Sequence, residues 1–151
     1  MYSATLSTPV GPLTVTSNGT AITRVSWEGP KGHDARPELT EALSQLDAYF
    51  EGTLKDFDLP LAVEAPAFQV QVCEVMQSIP FGETLTYGDI AKRLDVPAQA
   101  IGQACGGNPI PVIIPCHRVL GATSLGGYSG EGGVETKVWL LRHEGAAGLL
   151  I

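Results

Sequence analysis

Prolines at 109, 111 and 115 frame an apolar run, Ile110 and Val112-Ile113-Ile114, and no helix can pass through it. Proline lacks the amide hydrogen and its ring clashes with the preceding turn. Pro111 to Pro115 is therefore predicted to be a short buried extended segment, with Cys116-His117 delivered to its end.

Upstream of it, apolar residues recur at helical spacing. Phe68, Val72, Val75, Met76 and Ile79 form one stripe that stops at Pro80. Thr86 can cap a second helix with Asp89 as its capping-box partner, and Ile90 and Leu94 point inward. That helix must end before Pro97, and a third runs from Pro97 to about Cys105. Two helices across so tight a turn have helix-turn-helix geometry. Downstream, Val138 to His143 reads as a final helix closed by Gly145.

The first third has the period of an antiparallel sheet. Leu13 and Val15 alternate with threonines, Asn18-Gly19 favours a tight hairpin turn, and Ala21, Thr23, Val25 and Trp27 fall on one face of the return strand. Leu39, Ala42, Leu43, Leu46, Tyr49 and Phe50 then mark an amphipathic helix ended near Gly52. The prolines and weak periodicity of residues 56–66 suggest a linker. The expected class is α+β: an N-terminal sheet-plus-helix lobe over 1–62 and a helical, winged helix-turn-helix-like domain over 66–151.

Composition excludes several function classes. With 44% hydrophobic and 17% charged residues, the chain can fill a core and is not disordered. No apolar run reaches the roughly 18–20 residues of a membrane span, so no membrane association is expected. Cysteines 73, 105 and 116 form no CxxC pair, and an odd count argues for reduced thiols and a cytoplasmic setting. His33, His117 and His143 lack zinc-ligand spacing, so no metal is expected. The net charge of −7, with nine acids against four bases in residues 1–65 and seven against five in 66–151, disfavours strong nucleic-acid binding.

Chemistry concentrates at Cys116-His117. A thiol is a useful nucleophile only as thiolate, which needs a base or cation beside it, and a bend at Pro115 would let His117 serve. The competing reading is a small buried cysteine beside a surface histidine, and for an arbitrary Cys-His pair that reading is the commoner one.

Pro115-Cys116-His117-Arg118-Val119 resembles the active-site signature of the O6-alkylguanine-DNA alkyltransferases. Ile79-Pro80-Phe81-Gly82-Glu83-Thr84 with Thr86-Tyr87, Gly107-Asn108-Pro109, Gly127-Tyr128-Ser129-Gly130 and Trp139-Leu140-Leu141-Arg142-His143-Glu144-Gly145 resemble the family's other blocks, in the family's order. The likeness spans about residues 66–145.

The resemblance implies a suicide transfer that restores guanine in DNA and leaves the alkyl group on Cys116, with no cofactor and with a monomer as the working form. It implies Glu144 polarising His117, which takes the thiol proton through a water, and Asn108 bracing the turn. Tyr87 and the Ser129 main chain would hydrogen-bond the base, with Val119, Tyr128 and Gly130 completing the substrate site. Gln99, Ala100 and Gly102 fall on the expected DNA-reading helix. Gln99 occupies the position where the family usually presents an arginine that replaces the flipped nucleotide, which implies weakened duplex binding. Phosphate contacts would fall to Lys92, Arg93, Arg118, Lys137 and Arg142. Two alternatives stay open: a damage-binding relative without efficient repair, and a thiol enzyme acting on a non-DNA substrate.

Overall fold

The computed structural model describes residues 1–128 and 130–146 and has the expected α+β character. It separates into two compact units, Met1–Glu64 and Ala65–Ile151.

In the first unit, β1 (Tyr2–Leu6), β2 (Leu13–Ser17) and β3 (Ile22–Ser26) form an antiparallel sheet in the order β1-β2-β3. Strand β1 was not anticipated. Its five residues carry a single fully inward side chain, Ala4, too short a pattern to read as period two. The β2–β3 register shifts between Thr16 and Ser17. This bulge places Ile22, Thr23 and Val25 inside with Arg24 out, correcting the plain alternation expected from Ala21 to Trp27. Helix α1 (Pro37–Glu51) packs on β1 and β2 through Leu39, Ala42, Leu46 and Tyr49. It ends where Gly52 takes φ 87°, a left-handed conformation that glycine adopts without Cβ strain.

The expected linker is partly sheet edge. The Ile22 amide donates to the Pro60 carbonyl at 2.7 Å, and Ala62 donates to the Ile22 carbonyl at 2.8 Å. Prolines are tolerated there because an edge needs donors on only one side.

The second unit contains α2 (Ala67–Gln77), β4 (Leu85–Thr86), α3 (Tyr87–Leu94), α4 (Ala98–Gly106), β5 (Val119–Leu120) and α5 (Val134–His143). The capping box of α3 is present: Asp89 donates its amide to Thr86 Oγ1 at 3.0 Å, and Thr86 donates back to Asp89 Oδ2 at 2.8 Å. Asp95, at φ 55°, turns the chain into α4, which packs against both α2 and α3. Val72, Met76, Ile90, Ile101, Ile110, Ile114 and Leu140 make the core.

Two expectations fail here. Pro111 to Pro115 is buried but is a tight turn: Val112 sits at φ 72°, and the Ile114 amide bonds the Ile110 carbonyl at 2.9 Å. Asn108 takes the place of a partner strand, its amide donating to the Ile114 carbonyl and its oxygen accepting from the Ile110 amide. The last helix begins at Val134, four residues earlier than expected, because its first inward positions are the polar Thr136 and Lys137. Among the described residues, no helix is long and apolar enough to cross a membrane.

Candidate active site

The tight turn releases the chain into a single 3-10 turn, Cys116–Arg118, and then into β5, which pairs in parallel with β4. Leu85 pairs with Val119 and Thr86 with Leu120, so Tyr87 at the start of α3 is brought beside the Cys116 turn. Tyr87, Cys116, Gly102, Cys105, Gly106, Gly127 and Tyr128 line one cavity of about 420 Å³. The start of α3, the Gly127–Tyr128 loop and the α4 face thus converge on one thiol.

The turn directs His117 away from the cavity and into the core. Its Nε2 lies 2.7 Å from Glu144 Oε2, and both side chains are fully buried. Arg118 grips the same carboxylate in a fork, Nε to Oε1 at 2.8 Å and Nη2 to Oε2 at 3.0 Å, while Nη1 donates to the Ile79 carbonyl at 2.6 Å. Burial disfavours the Glu144 charge, but the bonds from His117 and Arg118 outweigh it and hold the carboxyl down at about 2. Burial also lowers the His117 pKa, so the imidazole is neutral. An ionised carboxylate only accepts, so Nε2 carries the hydrogen and Nδ1 presents a lone pair. Among the described residues Nδ1 has no hydrogen-bond partner. The arrangement is a base oriented by an anion, one residue from a thiol.

Burial pushes the Cys116 thiol up to about 11, opposed by the Asn108 side chain and by the charge of Lys137. Cys105 shares the cavity, and burial pushes it further, to about 12. Cys73 lies on the buried face of α2, beside Gln69. Cys116 is the one of the three with an amide and a cation both favouring its thiolate.

Other expected site residues fall out as follows. Val119 is buried, and both of its main-chain groups have partners, the amide on the Cys116 carbonyl and the carbonyl on Lys137; a carbonyl keeps a second lone pair for a ligand. Tyr128 lines the cavity, while Gly130 accepts from the Gly133 amide and does not line it. Ser129 lies outside the described residues. On α4, Gly102 lines the cavity, Ala100 is half-buried and Gln99 is exposed.

Two expected phosphate contacts are corrected: Arg118 and Lys137 are buried, Arg118 on Glu144 and Lys137 on the Val119 and Gly127 carbonyls. Lys92, Arg93 and Arg142 stay exposed. Lys137, like Arg118, belongs to the interior and not to a phosphate-facing surface. A signal existed, since 137, 140, 141 and 144 share one helical face, and a charge on a core face demands a buried partner. Among the described residues, no group of three His, Cys, Asp or Glu is placed to hold a metal.

Gly126 is where glycine is required. At φ 73°, a Cβ there would stand 2.6 Å from the Tyr87 hydroxyl oxygen and 2.8 Å from its Cε2. Gly126→Ala is expected to displace Tyr87 and destabilise the protein by about 1–3 kcal/mol. Thermal unfolding checks the stability, and the pKa of the Tyr87 phenol, raised by burial, should fall back toward the ordinary tyrosine value as the ring is pushed out.

Comparison with known proteins finds relatives over most of the chain. The 6-O-methylguanine DNA methyltransferase DNA-binding domain matches residues 67–146, and the ribonuclease-like domain of the same enzyme matches residues 1–63. The methylated-DNA–protein-cysteine methyltransferase of Methanosarcina acetivorans is 40% identical over 157 residues, covering 97% of this chain and 99% of its own. That of Mycobacterium tuberculosis is 39% identical over 150 residues, covering 93% and 90%. The crystal structure of M. tuberculosis OGT in complex with DNA superposes with a TM-score of 0.86 at 38% identity, covering 97% of this chain and 94% of that one.

Proposed function

The chain belongs to the methylated-DNA–protein-cysteine methyltransferase family, and from that premise we propose that it repairs DNA by moving the alkyl group of an O6-alkylguanine onto Cys116 in a single turnover. The observation that carries the reading is the buried chain Arg118–Glu144–His117, which ends in an unpartnered imidazole nitrogen on the residue that follows the cavity's favoured thiol in the chain.

In the proposed reaction, His117 Nδ1 receives the Cys116 proton through a water. The sulfur–carbon bond forms as the carbon–O6 bond breaks, and both electrons of the broken bond leave with the guanine. The restored base takes up one proton, so the thiol hydrogen is balanced and the product is a thioether. No cofactor enters, and each molecule acts once. The Tyr87 hydroxyl and the Ser129 main chain donate to the departing base, Asn108 holds the turn and steadies the thiolate, and Val119 and Tyr128 border the base. The protein acts as a monomer in the cytoplasm, where the three free thiols persist.

Duplex DNA is engaged through α4, with Gln99, Ala100 and Gly102 toward the groove. Flipping a nucleotide costs a few kcal/mol, and Gln99 offers hydrogen bonds without the charge or stacking plane of an arginine. Helix α4 has no basic residue, and the exposed cations of this unit are Lys92, Arg93 and Arg142. Repair of duplex is therefore expected to be slow relative to reaction with single-stranded DNA or free base. Gln99→Arg should raise the duplex rate and affinity about tenfold while barely changing reaction with free O6-benzylguanine. Transfer of label from an alkylated duplex, measured against free O6-benzylguanine, tests both statements. Equal rates on the two substrates, with no response to Gln99→Arg, would remove Gln99 from the flipping position. Label transfer from neither substrate would refute the repair reading itself.

A further inference from the structure

We propose that Lys137 is a positioning residue of the transfer: a buried ammonium that pins the Gly127 loop to the chain leaving the Cys116 turn and offsets the negative charge of the thiolate as it forms. The inference rests on the alkyl-transfer reading for its role in repair, but its physical content, a cation acting on Cys116, does not.

Lys137 is 0% exposed, an unusual position for lysine, and it is anchored by two main-chain acceptors. Its Nζ donates to the Val119 carbonyl at 2.6 Å and to the Gly127 carbonyl at 3.0 Å. Val119 follows the Cys116–Arg118 turn directly, and Gly127 lines the cavity with Cys116. The ammonium thus ties together the two segments that flank the thiol. It also lies 5.8 Å from the centre of the Tyr87 ring, the cavity's third wall.

The charges around the site balance everywhere except here. Glu144 is matched by Arg118 and bonded to neutral His117. Tyr87 and Tyr128 carry phenols that burial keeps protonated, and burial likewise disfavours ionisation of Cys73 and Cys105. Among the described residues Lys137 takes part in no ion pair. A buried cation without an anion is costly, and the charge that can complete it is the one created when Cys116 loses its proton. Burial lowers the Lys137 pKa while Cys116 and then Cys105 raise it, and the Cys116 pKa is in turn drawn down by Lys137. The thiol proton goes to His117, and Lys137 keeps its own throughout.

A clamp alone and a charged clamp differ in what glutamine does. Lys137→Gln keeps a donor for the carbonyls and removes the charge, whereas Lys137→Arg keeps both. The probe is iodoacetamide, whose reaction at Cys116 is followed by peptide mass mapping across pH and needs no DNA. The expected result is that Lys137→Gln moves the midpoint of the Cys116 rate profile upward by about one pH unit, roughly tenfold slower at neutral pH, and that Lys137→Arg restores most of the loss. An unchanged midpoint in folded Lys137→Gln would reduce Lys137 to a structural clamp and overturn the proposal. Should glutamine prevent folding, the reciprocal measurement decides: the Lys137 side-chain carbon resonance is titrated in wild type and in Cys116→Ser. Coupling requires Lys137 to lose its proton at lower pH when the thiol is absent, and identical midpoints would refute it. If the coupling is found but no alkyl group moves from O6-alkylguanine, the repair reading falls while the role of Lys137 stands.

Discussion

Glu144→Ala is expected to lower stability by about 3–5 kcal/mol, because it leaves the buried Arg118 guanidinium without a counter-charge, held only by the Ile79 carbonyl, and the buried His117 Nε2 without its acceptor. For a domain of this size that is a fall of about 10 °C in Tm, readable by calorimetry. Glu144→Gln keeps the shape and costs less, but it weakens the polarisation of His117, and alkyl transfer should slow by about 10²-fold or more. His117→Ala should slow transfer similarly, and the double variant should be little worse than the worse single, since the two residues act as a unit. Additive losses in single-turnover assays would mean that they act separately.

The same cluster fixes the response to acid. Glu144 has its pKa depressed from 4.5 to about 2 in the folded chain, so its contribution to stability is complete above about 4.5 and disappears as pH falls toward 2. His117 is also depressed, so it adds to the loss below its ordinary value of 6.5. Both signs agree, and unfolding free energy should decline steadily on acidification from neutral pH, with less decline in Glu144→Gln.

Cys116→Ser should carry the other large effect, the loss of transfer by roughly 10³-fold or more, since a hydroxyl in this setting is not ionised by an imidazole. The stability change should stay near 1 kcal/mol, the ordinary cost of a buried hydroxyl. Loss of activity with a retained fold, shown by rate and thermal melt on the same preparation, separates chemistry from collapse. Normal transfer by the serine variant would contradict the assignment.

What was legible in the chain follows from how local the signals are. The Thr86–Asp89 capping box, the Gly52 helix stop and the stripes of α1 and α2 are local, and they emerge where period and caps place them. Strand β1, the edge pairing of Pro60 to Ala62 and the two-residue β4–β5 pairing depend on distant partners, and two residues have no period to read. The prolines ruled out a helix at 111–115, but the left-handed Val112 depends on the Asn108 side chain standing in for a strand, which spacing does not reveal. In the site, Cys116, His117 and Glu144 were legible through motif resemblance. Arg118 and Lys137 were read as surface cations, because a charge is ordinarily solvated unless a partner far along the chain, here Glu144 or the Val119 carbonyl, draws it inside.

The central claim is that Cys116 accepts one alkyl group directly from damaged guanine. The most direct test incubates the protein with duplex DNA carrying isotopically labelled O6-methylguanine, then weighs the intact chain and maps its peptides. One labelled methyl group per molecule, confined to Cys116 and matched by restored guanine in the DNA, is the predicted result. Label on Cys105 or Cys73, or methyl released to solvent over repeated turnovers, would contradict it.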